Sequence, residues 1–248
     1  MIMVKTVGIT GASGNIGTTL REGLKTNYQL RLYDIVNIEG EDNFTKVDFS
    51  EKEKIKGILD GVDILIHLAG DPRPDAPQKL TLKNNFMATS YVFEEALRVG
   101  VKKIIYASSN FYHEGVIKEV LRKGLRKVIT LDMPPTPQCL YAQSKVFGEY
   151  VGRHLSYLGM KFIALRIGWT VPEDNPVFYD SDYMRAVFCS KRDLIQAFKK
   201  AIEENRGSNF IAAFVTSDNS DNVFDLSETK EILGFYPQDN AKDYFIDR

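Results

Sequence analysis

Apolar and polar positions run along the chain in two registers: short compact runs, and longer stretches with helical spacing. Val4–Thr10 is a β-branched run that reads as a buried first strand. Gly14–Leu24 has helical spacing, and Tyr28–Asp34 reads as a second strand. A brief extended piece, Phe44–Val47, leads into a polar helix near Ser50–Leu59. Val62–Ala69 is almost continuously apolar, as expected of a strand covered on both faces. Leu80–Val99 is a long helix stopped by Gly100, and Lys102–Ser108 is another buried strand. Tyr141–Leu158 is helical up to Gly159, and Lys161–Ile167 is the next strand. This alternation predicts right-handed βαβ units, hence an α/β fold with a doubly wound, Rossmann-type parallel sheet.

After Trp169 the pattern loosens. Val171–Asp182 carries prolines and acids and reads as loop. Arg192–Glu204 is helical, Asn209–Val215 is a strand, and Ser227–Leu233 is a short helix stopped by Gly234. Residues 1–168 are expected to form the sheet core, and residues 169–248 a small C-terminal cap interleaved with it in one compact unit. A chain of 248 residues buries roughly 70–75% of its unfolded surface and needs no disulfide or metal staple.

Composition narrows the class. Hydrophobic residues make up 44% and charged ones 26%, which excludes a disordered or collagen-like chain. The formal net charge of −1 draws the chain to neither nucleic acid nor an anionic membrane, so neither is expected as a partner. Cys139 and Cys189 lie fifty positions apart with no CxxC spacing, as in a reduced, cytoplasmic chain. The apolar start, Met1–Thr10, is interrupted by Lys5 and is too short for a signal peptide. No apolar run approaches the roughly 18 residues of a membrane span. His67, His113 and His154 are isolated, so no metal site is expected.

The candidate chemistry begins at the first strand–helix turn, where Gly11, Gly14 and Gly17 are spaced three apart. A dinucleotide fold needs glycines there for a tight bend, for close approach of a pyrophosphate and for helix-on-strand packing. The phosphates then meet the N–H groups at the helix start. Asp34, seventeen residues beyond Gly17, ends the second strand. There a carboxylate accepts hydrogen bonds from both adenosine ribose hydroxyls and repels a 2′-phosphate. The residues that follow, Ile35 and Val36, are not basic, which favours NAD over NADP. Asp48 is a candidate for the adenine amino group, or alternatively a helix cap.

Tyr141 and Lys145 are four apart on a helix and share a face. A free phenol titrates near pH 10, and a nearby cation lowers that value, which suits a general acid–base for an alcohol–ketone pair. Tyr157 and Lys161 have the same spacing, but Gly159 should break the helix between them. The first pair follows the strand ending in Ser108-Ser109-Asn110. That strand end lies on the same sheet edge as the glycine loop, where open α/β sheets bind ligands. A serine there can hold the reacting hydroxyl while Tyr141 moves its proton.

Together, Thr10 to Gly17, His67-Leu68-Ala69-Gly70, Asn85, Ala107-Ser108-Ser109, Tyr141 and Lys145 resemble an extended short-chain dehydrogenase/reductase of the NAD-dependent epimerase/dehydratase family. Leu140 to Glu149, Arg166-Ile167-Gly168 followed by Pro172-Glu173, and the ending Leu233 to Pro237 are similar to the uronate dehydrogenase branch. The resemblance implies NAD contacts along the loop at Gly11, Ser13, Gly14, Asn15, Ile16 and Gly17. It implies others at Asp34, Asp48, Phe49, Leu68, Ala69, Gly70, Asn85, Ser108, Tyr141, Lys145 and Ile167. Ser109, Tyr141 and Lys145 would be the catalytic set, with Lys145 bridging the nicotinamide ribose. Ser109, Asn110, Phe111, Trp169 and Arg185 would meet the substrate. The reaction implied is oxidation of the anomeric carbon of a sugar or sugar acid, with hydride passing to NAD.

Several positions depart from that branch. Phe111 replaces a histidine and Trp169 a small serine. The branch's carboxylate-binding arginine falls two positions from Arg185, with Tyr183 in its place. The Ser109–Tyr141 interval is long. Its excess, Glu114–Val128, aligns Ile117, Val120, Leu121, Leu125 and Val128 on one helical stripe, with Lys118, Arg122, Lys123, Arg126 and Lys127 around it. That segment is either a solvated surface helix or a lid whose cations meet an anionic substrate. Three functions stay open: an NAD-dependent dehydrogenase of a monosaccharide, sugar acid or sugar phosphate; a nucleotide-sugar epimerase or dehydratase with bound NAD; and a non-catalytic NAD-binding protein. About 80 residues remain after Gly168 for the substrate-binding cap, which suits a single sugar. An apolar face on Tyr141–Leu158 or Leu80–Val99 is either core or a homodimer surface.

Overall fold

The computed structural model describes residues 5–245. Val4, the expected start of the first strand, and residues 246–248 of the expected cap lie outside them. Among the described residues one parallel sheet has the order β3-β2-β1-β4-β5-β6-β7. Its strands are β1 (Thr6–Thr10), β2 (Gln29–Asp34), β3 (Phe44–Lys46), β4 (Ile64–His67), β5 (Lys103–Ser109), β6 (Lys161–Ile167) and β7 (Phe210–Val215). Every strand pairing is parallel. The order reverses between β1 and β4, which opens a crevice at their C-terminal ends.

The helices are α1 (Asn15–Leu24), α2 (Gln78–Thr81), α3 (Ala88–Val99), α4 (Glu114–Arg122), α5 (Leu140–Tyr157), α6 (Asp182–Val187), α7 (Lys191–Glu203) and α8 (Ser227–Leu233). A π-helical stretch, Leu82–Met87, joins α2 to α3. Leu20, Leu24, Leu194 and Phe198 from α1 and α7 share one apolar cluster with Ile9, Ile66 and Ile105. Val92, Phe93 and Leu155 from α3 and α5 share another with Leu65, Ile104 and Phe162. Strand residues therefore bury alternately toward the two helical layers, which is why the strands read as continuous apolar runs.

Two glycines bring α5 unusually close to the sheet. A Cβ on Gly148 would lie 2.4 Å from Tyr106, and one on Gly152 would lie 2.2 Å from Phe162. Four apart, they share a helix face. That face rests on β5 and β6 and sets the height of Tyr141 and Lys145 above the strand ends.

Some expectations need correction. In place of a helix over Ser50–Leu59 there is a single 3-10 turn, Lys52–Ile55, and Gly57 at φ +80 turns the chain away. Val171–Asp182 is loop broken by a 3-10 turn at Pro176–Tyr179. α6 follows it, too short for an apolar period to reveal. The helix expected over Glu114–Val128 stops at Arg122, and Gly124 sits at φ +66. The amides of Lys127 and Val128 then bond the carbonyls of Asn222 and Val223. Ile117 and Val120 are core, whereas Leu125 and Val128 are exposed. β7 pairs with β6, and α7 packs on α1, so part of residues 169–245 completes the sheet and a helical layer. Among the described residues no helix is long and apolar enough to cross a membrane.

Candidate active site

The β1–α1 loop opens onto a cavity of about 980 Å³ at the C-terminal edge of the sheet. Gly11 sits at φ +70, and a Cβ there would lie 2.8 Å from the Ala69 nitrogen. A Cβ on Gly17 would lie 2.3 Å from the Gly11 oxygen. The turn itself demands those two glycines. Gly14 differs: a Cβ there would meet only the Gly11 oxygen, at 3.4 Å. Its bareness leaves the backbone open to the cavity, as close approach of a pyrophosphate requires. α1 starts there with no acid in its first turn, and the first amides of a helix have no intrahelical acceptor. The loop therefore fits a dinucleotide's phosphates.

Asp34 closes the adenosine end. One carboxylate oxygen accepts from the Ser13 amide at 2.8 Å, the other from the Val36 amide at 3.0 Å. The residue thus ties the glycine loop to β2 and caps its own turn. Each oxygen keeps a lone pair for a ribose hydroxyl. Asp48 also lines the cavity. It accepts from the Ser50 hydroxyl at 2.6 Å and pairs with Lys83 at 3.0 Å, so it closes a turn onto Ser50 rather than capping a helix, since the 3-10 turn that follows begins at Lys52. Phe49 is buried beside it.

Thr10 joins β1 to the end of β4. Its hydroxyl oxygen accepts from the Leu68 and Ala69 amides and lies 2.8 Å from His67 Nδ1. Burial and the neighbouring Lys145 hold His67 down to about 3, so it is a neutral core residue.

Ser109, Tyr141 and Lys145 converge at the other end of the cavity. Lys145 Nζ donates to the Ala107 carbonyl at 2.9 Å and lies 5.5 Å from the centre of the Tyr141 ring. Burial takes its ammonium down to about 8, so it is still a cation at neutral pH. Burial raises the Tyr141 phenol, and a hydrogen bond with Ser109 draws it partly back. The Phe111 amide donates to Ser109 Oγ at 3.1 Å and fixes that hydroxyl. The rejected pair is elsewhere: α5 ends at Tyr157, and Lys161 Nζ caps the Ser208 carbonyl at 2.8 Å.

Behind the site runs a buried polar network that joins Ser108 to Glu149, Arg166 and His113, the last three given no role by sequence reading. Ser108 Oγ donates to Glu149 at 2.6 Å, and Arg166 grips the same carboxylate in a fork at 3.0 and 2.9 Å. The third arm of the Arg166 guanidinium lies 2.9 Å from His113 Nε2. Arginine only donates, so that nitrogen accepts and the imidazole is neutral. Burial first, and Arg166 second, hold His113 down to about 3. The available signal was a charged residue inside an otherwise apolar strand, which is rare unless paired.

Phe111, Trp169 and Tyr183 form an aromatic wall that adjoins Tyr141. The Phe111 ring centre lies 5.6 Å from Tyr141 and 6.3 Å from Tyr183, and Trp169 lies 6.2 Å from Tyr183. Tyr183 Oη donates to Asn110 Oδ1 at 2.7 Å, so the Asn110 amide hydrogens remain as donors. Two expected residues are misplaced. Arg185 does not line the cavity; both its donor arms bond Asp180 at 2.7 Å. Two residues apart on a helix are about 200° apart, so Tyr183 facing in turns Arg185 out. Asn85 is buried but braces the backbone of Asp71, at 2.7 and 2.9 Å, and Asn84 lines the cavity instead. The cations of Glu114–Val128 also lie outside the lining. Lys118 pairs with Glu114, Lys123 with Glu119 and Arg126 with Asp221, so these three cations are engaged away from the cavity. Every other expected cofactor and substrate residue lines the cavity.

A Rossmann-type sheet with a glycine-loop crevice and a serine, tyrosine and lysine at its far end defines a protein of the short-chain dehydrogenase/reductase type. The chain belongs to the NAD dependent epimerase/dehydratase family, whose model matches residues 7–172. It is 30% identical to an L-arabinose 1-dehydrogenase (NAD(P)(+)) of Haloferax volcanii, over 95% of this chain and 97% of that protein. It is 29% identical to an NAD-dependent glucose-6-phosphate dehydrogenase of the same organism, over 98% and 96%. A solved structure of a mutated uronate dehydrogenase superposes with a TM-score of 0.84 at 25% identity, covering 98% of this chain and 85% of that one.

Proposed function

We propose that the chain is an NAD-dependent oxidoreductase that oxidises a monosaccharide at its anomeric carbon. The observation that carries this reading is the meeting of Ser109, Tyr141 and Lys145 at one end of a cavity whose other end is the glycine loop. The similarity to dehydrogenases named for three different sugars supports it. NAD would supply the hydride acceptor. Gly11, Gly14 and Gly17 would hold its pyrophosphate, Asp34 the adenosine ribose and Lys145 the nicotinamide ribose. Ser109 and Tyr141 hold the anomeric hydroxyl, and Tyr141 takes its proton as the C–H electron pair leaves. The ammonium of Lys145 stabilises the phenolate that accepts this proton. The Asn110 amide positions the sugar ring.

Incubation with NAD and a panel of aldoses, hexuronates, sugar phosphates and UDP-sugars tests the reading. NADH should appear with a monosaccharide. Conversion of a UDP-sugar without net NADH would replace it with epimerase chemistry. The cofactor assignment has its own check. Asp34→Ala should narrow the ratio of NAD to NADP affinity by about tenfold, the worth of one charge-assisted hydrogen bond. An unchanged ratio would remove Asp34 from ribose recognition.

A further inference from the structure

The substrate end of the cavity is lined by rings and backbone rather than by charge. Among the described residues that line the whole cavity, Lys145 is the only cation, and its ammonium is already bonded to the Ala107 carbonyl beneath Tyr141. Three arginines lie within two residues of the lining in sequence, and all are committed elsewhere, Arg166 to the buried Glu149. Arg185 is turned out onto Asp180. Arg73 forks onto Asp71 at 2.9 and 2.6 Å and does not line the cavity. Asp71 does line it, so the fixed charge on that rim is an already neutralised pair. A carboxylate or phosphate seated here would lose water and gain no counter-charge, which costs far more than placing a hydroxyl. Aromatic rings, by contrast, suit the apolar C–H faces of a sugar, with a few polar groups to orient its hydroxyls.

Building on the oxidoreductase reading, we infer that the substrate is an uncharged aldose held against Phe111, Trp169 and Tyr183, and that uronates and sugar phosphates are disfavoured. The specificity-determining position is 183, where a tyrosine points into the cavity while Arg185 faces away.

Trp169 is the only tryptophan in the chain and stands in this wall, so its fluorescence reports occupancy without turnover. The test titrates the NAD-loaded protein carrying Tyr141→Phe with matched series in which only C6 changes: glucose, glucuronate and glucose 6-phosphate, then galactose with its uronate and 6-phosphate. The preferred neutral sugar should bind at least about tenfold more tightly than both of its anions. In the unaltered enzyme kcat/KM for NADH formation should follow the same order. Introducing Tyr183→Arg should shift the uronate-to-neutral ratio toward the uronate by about tenfold, as a cation facing the cavity requires. An anion binding as well as its neutral parent, or no response of Trp169 to any neutral sugar, overturns the inference. Neutral-selective binding with no NADH from any sugar would leave the selectivity standing and remove the oxidoreductase reading instead.

Discussion

Replacing Tyr141 with phenylalanine is expected to lower turnover by about 10²- to 10⁴-fold, the usual worth of a positioned general acid–base. NAD affinity should change little. The ring would keep its place at 5.6 Å from Phe111 and 5.5 Å from Lys145 Nζ, and only the oxygen is lost. The pH dependence provides a second readout. Burial leaves the Tyr141 phenol above its ordinary value in the cofactor-free chain, so at neutral pH it carries its proton. Oxidation needs that proton gone, and the rate should therefore rise with pH between 6 and 8, while the reverse reduction falls. Above about 8 Lys145 itself begins to lose its charge, and the gain should level off. Stopped-flow measurement of NADH formation in both variants decides the matter. Wild-type rates in Tyr141→Phe, or a flat profile in the unaltered enzyme, would remove Tyr141 from proton transfer.

What could be read from sequence was local in origin. Gly11, Gly14 and Gly17 lie within one turn, and Tyr141 and Lys145 within one helical turn, so spacing alone puts each set together. The strands were legible because both faces are buried. What was lost depended on helix phase or on distant pairing. Nothing in the chain says whether Tyr183 or Arg185 faces the cavity until α6 is placed, since two positions on a helix point opposite ways. Asn84 replaces Asn85 in the lining because the Leu82–Met87 stretch is π-helical, which shifts the face a regular helix would present. Gly124 ended α4 before its apolar stripe was complete. Glu149 and Arg166 are seventeen positions apart on different elements, and no periodicity links a helix to the strand beneath it.

That last pair carries the largest stability effect. Arg166 and Glu149 side chains are each only 1% exposed. Removing one member leaves a buried charge without its counter-charge, which typically costs about 3–5 kcal/mol. Arg166→Met should therefore lower the free energy of unfolding by about that amount, read from the midpoint of urea denaturation at unchanged slope. Part of the loss would come from the Leu131 carbonyl and His113, both now bonded by the guanidinium at 3.1 and 2.9 Å. Combining Arg166→Met with Glu149→Met removes the orphaned carboxylate as well. The double variant should be more stable than Arg166→Met alone, because a buried ion pair replaced by apolar groups is often close to neutral. Only the unmatched hydroxyl of Ser108 and the bonds to Leu131 and His113 would stay lost. Strict additivity of the two substitutions would mean that the charges do not act as a pair. Coupling with little effect on NAD affinity would place the network in the support of β5, α5 and β6, beneath the strand end that presents Ser109. The strand end that presents Ser109 and the helix that presents Tyr141 and Lys145 would then rest on a shared buried ion pair.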